Sequence, residues 1–223
     1  MKCSKGDGEK MRRSGTIKGR ALRAVCGLTL ALALAVPAGA AQAAFTDVPA
    51  GSWYSQAVEE AVAAGLMSGT SATTFSPDWA VTRGMAVTVL WRLSGAPAPA
   101  GEGSFTDVPA DTWYTQAAAW AQEQGIASGD GKGAFRPESA ITREELAVLL
   151  YQYALRTDSD TAEGVLELYR DGNTVSSWAK TAMEHAVGAG LITGSGGTLA
   201  PKRAATRAEL AVVLERLTTP AMG

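Results

Sequence analysis

The sequence predicts an all-α protein made of three helix-loop-helix repeats. Three observations carry that prediction: a motif set that recurs along the chain, apolar residues at helical spacing within each copy, and start and stop signals around each apolar stretch. Recurrence comes first, because a fixed period decides the architecture. Phe45-Thr46-Asp47-Val48-Pro49 returns 60 residues later as Phe105-Thr106-Asp107-Val108-Pro109. Trp53-Tyr54, Gly65, Gly69, Phe75, Pro77 and Thr82-Arg83 return at the same shift as Trp113-Tyr114, Gly125, Gly129, Phe135, Pro137 and Thr142-Arg143. A third copy carries Tyr169, Asp171, Trp178, Gly190, Gly194, Leu199, Pro201 and Thr206-Arg207, shifted from the second by 64 or 65.

The first helix of each copy is expected to start at Trp53, Trp113 or Trp178, after the hydroxyl residues Ser52, Thr112 and Ser177. Ala57, Val58, Ala61 and Val62 give copy one its apolar stripe, and Ala182, Met183, Ala186 and Val187 give copy three its own. Gly65, Gly125 and Gly190 supply the left-handed residue that ends this helix. A turn-rich loop leads past Pro77, Pro137 or Pro201 to a second helix beginning at Thr82, Thr142 or Thr206. Thr142 with Glu145, and Thr206 with Glu209, have capping-box spacing, in which hydroxyl and carboxylate each satisfy a free backbone N–H. The second stripe is Leu146, Ala147, Leu149, Leu150 and Tyr153, matched by Leu210, Ala211, Val213, Leu214 and Leu217. One hairpin cannot bury such a face alone, so the three must pack on each other.

Charge and composition bound the function. Residues 1–23 carry eight basic side chains against Asp7 and Glu9, whereas Ala44 onward holds 12 basic and 20 acidic residues. The basic start, the uncharged apolar run from Ala24 to Val36 and the small residues up to Ala43 have the pattern of a secretory signal peptide over residues 1–43. Cleavage is expected after Ala43 or one residue later, Met11 offers a second start, and the general secretion route is expected because Arg12-Arg13 lacks apolar residues just after it. The apolar run is shorter than the about 20 residues a membrane span needs. Both cysteines, Cys3 and Cys26, lie in that segment, which leaves no disulfide or thiolate metal site for the rest. An acidic mature chain lacks the basic face that nucleic acid requires.

The ordered set Phe-x-Asp-Val, Trp-Tyr, Gly-Leu-x-x-Gly, Phe-x-Pro and Thr-Arg-x-Glu resembles the S-layer homology (SLH) domain, from Phe45 to Leu217. The resemblance implies repeats at 44–95, 105–155 and 168–218, joined by linkers at 96–104 and 156–167, in a pseudo-threefold helical assembly. It implies a secreted protein held non-covalently on the bacterial cell surface, in the cell wall or S-layer. The implied partner is secondary cell-wall polysaccharide, often at an acidic pyruvylated sugar, in grooves between repeats. Peptidoglycan or another surface-layer protein is the alternative partner. The C-terminal residues from Leu217 lack a sortase-type motif, in keeping with non-covalent attachment.

The resemblance assigns the polysaccharide site to Trp53, Trp113, Trp178, Arg83, Arg143, Arg207, Gly69, Gly129 and Gly194. Residue chemistry is compatible with it. Each arginine follows a capping threonine, next to free helix N–H groups, where a carboxylate could be held by two parallel bonds. Each indole offers a flat apolar face and one N–H donor. Other roles stand beside these: tryptophans wedged in the core, arginines in structural salt bridges, glycines serving backbone geometry, and Asp47, Asp107 and Asp171 as turn or cap residues. Copy one has Gly84-Met85 where the others have an acid at the box position, and copy three has Tyr169 for Phe and Ala179 for Tyr. On this basis Arg143 is expected to be the best organised arginine and Arg83 the loosest.

No enzyme and no cofactor are expected. The sole histidine, His185, aligns with Glu60 and Trp120 and is expected on a helix surface. Asp158, Asp160 and Glu163 lack calcium-loop spacing, and Gly129-Asp130-Gly131-Lys132-Gly133 lacks the phosphate-loop pattern.

Overall fold

The computed structural model describes residues 45–101, 103–157 and 163–219, and the export segment read at 1–43 lies outside them. Six α-helices follow one another, two per repeat: α1 (Ser55–Ala63), α2 (Arg83–Leu93), α3 (Thr115–Glu123), α4 (Arg143–Ala154), α5 (Lys180–Gly188) and α6 (Arg207–Thr218). No strand occurs among the described residues.

The second helices begin where their capping residues dictate. Thr82, Thr142 and Thr206 have extended backbone and accept from the N–H three residues on. Both capping boxes close, with the Thr142 and Thr206 N–H donating to Glu145 at 2.8 Å and Glu209 at 2.9 Å. The first helices begin two residues later than expected. Tyr54, Tyr114 and Ala179 precede them without a side-chain cap. Ser52 and Thr112 instead close a turn through their carbonyls, which accept from Ser55 and Thr115 at 3.1 and 3.2 Å. The repeated tryptophans therefore stand in the turn ahead of the helix. At the other end, Gly65 has φ +69°; its N–H donates to Val62 and that of Leu66 to Ala61, a Schellman closure that needs a residue free to be left-handed.

Helices pair between repeats rather than within them. The first helix of each copy packs on the second helix of the copy before it, α3 on α2 and α5 on α4, and α1 closes the ring on α6. The apolar stripes meet there, burying Val58, Leu90, Leu146, Leu150, Met183, Leu210 and Leu214 almost completely. Ring closure extends to the backbone. The Val81 N–H donates to Ala205, Ala205 to Ile141, and Ile141 back to Val81, at 2.8–2.9 Å. These three residues are fully buried, so three loops are stitched together where the second helices start.

Two departures of the sequence prove to be matched in size. Gly84 on α2 lies so close to the next repeat that an added Cβ would meet the Pro137 oxygen at 3.1 Å and the Tyr114 ring at 3.3 Å. The same position on α4 is Glu144, and there the third repeat has Ala179 in place of the tyrosine. Glu144 is 3% exposed and accepts from the Ser176 N–H and hydroxyl and from Lys202. His185 differs from expectation. It is 3% exposed, its ring lies 5.3 Å from that of Tyr151 on α4, and Nδ1 has no hydrogen-bond partner among the described residues. Burial lowers its pKa from the ordinary 6.5, so it sits in the core as a neutral ring.

Asp47, Asp107 and Asp171 are loop clamps. Each carboxylate accepts two consecutive backbone N–H groups: Phe75 and Ser76, Phe135 and Arg136, or Leu199 and Ala200, all at 2.7–2.8 Å. The second residue of each pair, Ser76, Arg136 or Ala200, has a positive φ of 50–60°. Such a conformation is costly for a residue with a Cβ and persists here because both flanking donors are held. Burial, the largest influence on Asp47 and Asp171, pushes their carboxyls up, but these donated bonds together with a nearby arginine leave both below the ordinary value.

Candidate functional site

The capping threonines place Arg83, Arg143 and Arg207 at the first position of α2, α4 and α6. Each guanidinium reaches into the following repeat in one pattern. Nε donates to the carbonyl of Phe135, Leu199 or Phe75 at 2.7–2.9 Å. Nη2 donates to the carbonyl of Ser128, Thr193 or Ser68 at 2.6–3.3 Å. Arg83 and Arg207 also lie over the Phe135 and Phe75 rings, 4.9 and 4.4 Å from the centroids, which adds a cation–π contact. The acceptor of Nη2 immediately precedes Gly129, Gly194 or Gly69. An added Cβ at Gly69 would meet Phe45 at 2.6 Å, at Gly129 it would meet Phe105 at 3.3 Å, and at Gly194 it would meet Tyr169 at 2.6 Å. Glycine is thus required where the loop passes over the ring that opens each repeat, and that passage aims the carbonyl at the arginine.

Three open grooves result, and the nine predicted residues sort among them as three triads. Trp53, Arg143 and Gly194 line one of about 420 Å³. Trp113, Arg207 and Gly69 line a second of about 490 Å³. Trp178, Arg83 and Gly129 line a third of about 650 Å³. Every triad draws on all three repeats, so no groove exists until the ring has closed. The tryptophans are not core wedges: Trp53, Trp113 and Trp178 are 65%, 54% and 60% exposed.

Two expectations about the arginines change. The helix N–H groups beside them are already taken. Those of Arg83 and Gly84 donate to Ser139 and Pro137, those of Arg143 and Glu144 to Arg203 and Pro201, and those of Arg207 and Ala208 to Trp79 and Pro77. Any anion in a groove therefore meets side chains rather than a bare helix end. Second, where a capping glutamate faces the arginine, it comes from the next repeat. Arg83 faces Glu145 at 4.0 Å, and Arg143 binds Glu209 at 2.6 Å. Arg207 faces the position held by Met85, and its Nη1 has no hydrogen-bond partner among the described residues. The missing acid of copy one thus bears on Arg207, not on Arg83. Burial lowers the pKa of all three arginines; Glu145 with Asp107 opposes this for Arg83, Glu209 with Asp171 for Arg143, and Asp47 alone for Arg207. In Glu209 burial is the largest influence and pushes the carboxyl up, yet Arg203, the Thr206 N–H and Arg143 hold it below its ordinary value.

A family model described as the S-layer homology domain matches residues 44–86, 104–147 and 168–211, more than half of the chain and one match per helical repeat. The chain belongs to the S-layer homology domain family. It is 34% identical over 205 residues to the surface-layer 125 kDa protein of Lysinibacillus sphaericus, covering 89% of this chain and 17% of that protein. It is 31% identical over 172 residues both to an amylopullulanase of Thermoanaerobacterium thermosulfurigenes and to the exoglucanase XynX of Acetivibrio thermocellus. Those matches cover 76% of this chain but only 9% and 16% of the two enzymes. SLH domains serve as anchoring modules in surface-layer proteins and cell-surface enzymes alike, which makes this a cell-wall-associated module.

Within the SLH framework, aligned copies expose groove residues that motif reading passed over. Trp79, 63% exposed, occupies the position of Ser139 and Arg203, and all three line grooves. Arg92, Gln152 and Arg216 form another such set, nine residues after the groove arginines. Their signal in the sequence was difference between copies, whereas motif reading attends to what the copies share.

Proposed function

We propose that this SLH module attaches its protein non-covalently to the cell wall by binding secondary cell-wall polysaccharide in the three grooves. The observation that carries this is the triad itself: an exposed indole face beside a desolvated, fixed guanidinium, repeated three times with loops set by glycine. Sugar rings pack on such faces, and an acidic substituent would pair with the guanidinium in a site partly shielded from water. Several grooves on one chain also raise attachment by multivalency, since a second contact along the same polymer is intramolecular. Export through the segment read at 1–43 completes this reading.

The test is sedimentation of the folded protein with purified walls, before and after chemical extraction of the secondary polymer. Binding should be lost on extraction, and denaturant should release the protein from untreated walls. Undiminished binding to extracted walls would point to peptidoglycan. Release only after peptidoglycan digestion would contradict non-covalent attachment.

A further inference from the structure

The three grooves share a plan but differ in whether an acid faces the motif arginine. The Arg83 groove also contains Arg136, Asp130 and Glu145, so its cations are matched by acids. The Arg143 groove contains Arg203 and Arg216 as well, three arginines to one carboxylate among the described residues, and that carboxylate, Glu209, is bonded to both Arg143 and Arg203. The Arg207 groove is lined by two arginines, Arg207 and Arg92, and by no carboxylate among the described residues. Arg92 is held in place by donating to the Leu66 carbonyl at 3.0 Å. Asp47, the acid whose charge reaches Arg207, has both oxygens engaged by the Phe75 and Ser76 N–H groups. This groove also presents two exposed indoles, Trp79 and Trp113, where the equivalents of Trp79 are Ser139 and Arg203.

Arg207 is the decisive group. It is 6% exposed and lines the groove, with Nε and Nη2 fixed on carbonyls and Nη1 without a hydrogen-bond partner among the described residues. A guanidinium so shielded from water pairs more strongly with an anion than an exposed one does, and Nη1 is the donor left for it. In the other two grooves the protein supplies that anion from its own capping glutamate. Here the position is Met85, an uncharged side chain that lines the groove.

We propose that the Arg207 groove is the one that takes the carboxylate-bearing unit of the ligand, and that Met85 is the residue that sets this selectivity. The proposal rests on the reading that the grooves bind an acidic wall polymer. A glutamate at 85 would place an internal carboxylate where the ligand's belongs and would also complete a capping box with Thr82, so the substitution suits the fold. In the Arg83 and Arg143 grooves the motif arginine already faces an acid of the protein itself.

The experiment measures binding of monovalent wall-polymer fragments, and of the same fragments after carboxyl reduction, by titration calorimetry. Wild type, Met85→Glu, Met85→Gln and Glu209→Gln are compared, with thermal melts confirming that each is folded. Close charge pairs couple strongly enough that Met85→Glu should weaken binding about tenfold or more. Met85→Gln and Glu209→Gln should stay within about threefold of wild type, and reduced fragments should bind wild type as poorly as intact ones bind Met85→Glu. Equal binding of intact fragments by wild type and Met85→Glu would overturn the groove assignment and leave polymer binding standing. Failure of wild type to bind any fragment would overturn both.

Discussion

A protein lacking residues 45–101 should fail to fold cooperatively, although two whole repeats remain. Of the three helix pairs, removal of the first repeat takes α1 from α6 and α2 from α3, and only α4 with α5 survives. Leu210, Val213 and Leu214 on α6 and Trp120 on α3 are buried in the closed ring and would lose a partner helix. Each such side chain contributes about 1.5–3 kcal/mol when fully buried, and a domain's whole margin is about 5–15 kcal/mol. Arg207 would also lose both of its acceptors, the Phe75 and Ser68 carbonyls. Thermal denaturation followed by near-ultraviolet circular dichroism should show no sharp transition. A cooperative melt with native-like signal would mean that the repeats fold as separate hairpins.

That prediction depends on a pairing that motif reading does not reach. Features set by nearest neighbours were legible in the sequence: the capping boxes at Thr142 and Thr206, the left-handed glycines at 65, 125 and 190, and the apolar stripes. Each is fixed by a few consecutive residues. What the sequence did not disclose is which repeat a side chain faces. Met85 looked like a flaw in its own helix start, yet its consequence falls on Arg207, 122 positions away along the chain. Gly84 looked like a weak point and is a steric allowance for Tyr114. His185 was expected on a helix surface, since Glu60 and Trp120 hold its position in the other copies and the fold needs no histidine there; α5 instead packs it against Tyr151, as the equivalent Trp120 is buried on α3. Trp53, Trp113 and Trp178 line grooves rather than the core, and their exposure follows from the helix starting two residues beyond them.

The second large effect is expected from Asp171→Ala. Its carboxylate holds the Leu199 and Ala200 N–H groups at 2.7 and 2.8 Å, and Ala200 is left-handed at φ +50°. Hydrogen bonds to a charged acceptor are worth about 1.5–3 kcal/mol each, and release of a strained residue without its clamp adds disorder in the loop. With water replacing part of the loss, roughly 2–4 kcal/mol should disappear, a fall in Tm of about 5–15 °C for a chain of this size. The loss should spread to the Arg143 groove, because the Leu199 carbonyl that accepts from Arg143 Nε belongs to the same loop. Asp171→Asn, which keeps one acceptor oxygen, should fall between the two. A Tm within 2 °C of wild type for Asp171→Ala, a bound set from about 2–4 °C per kcal/mol, would show that the clamp is dispensable.

The central claim is that wall polymer lies in grooves assembled from three repeats, and the six tryptophans of the chain make it directly measurable. Trp53, Trp113 with Trp79, and Trp178 line the three grooves. Trp91, whose indole N–H donates to the Pro97 carbonyl, and the buried Trp120 lie outside them. Titrating isotope-labelled protein with soluble wall-polymer fragments should shift the indole resonances of the groove tryptophans, with Trp113 and Trp79 moving at the lowest fragment concentration, while Trp91 and Trp120 stay fixed. Fragment binding that leaves the four groove indoles unmoved, or that shifts Trp91 and Trp120 in their place, would contradict the account.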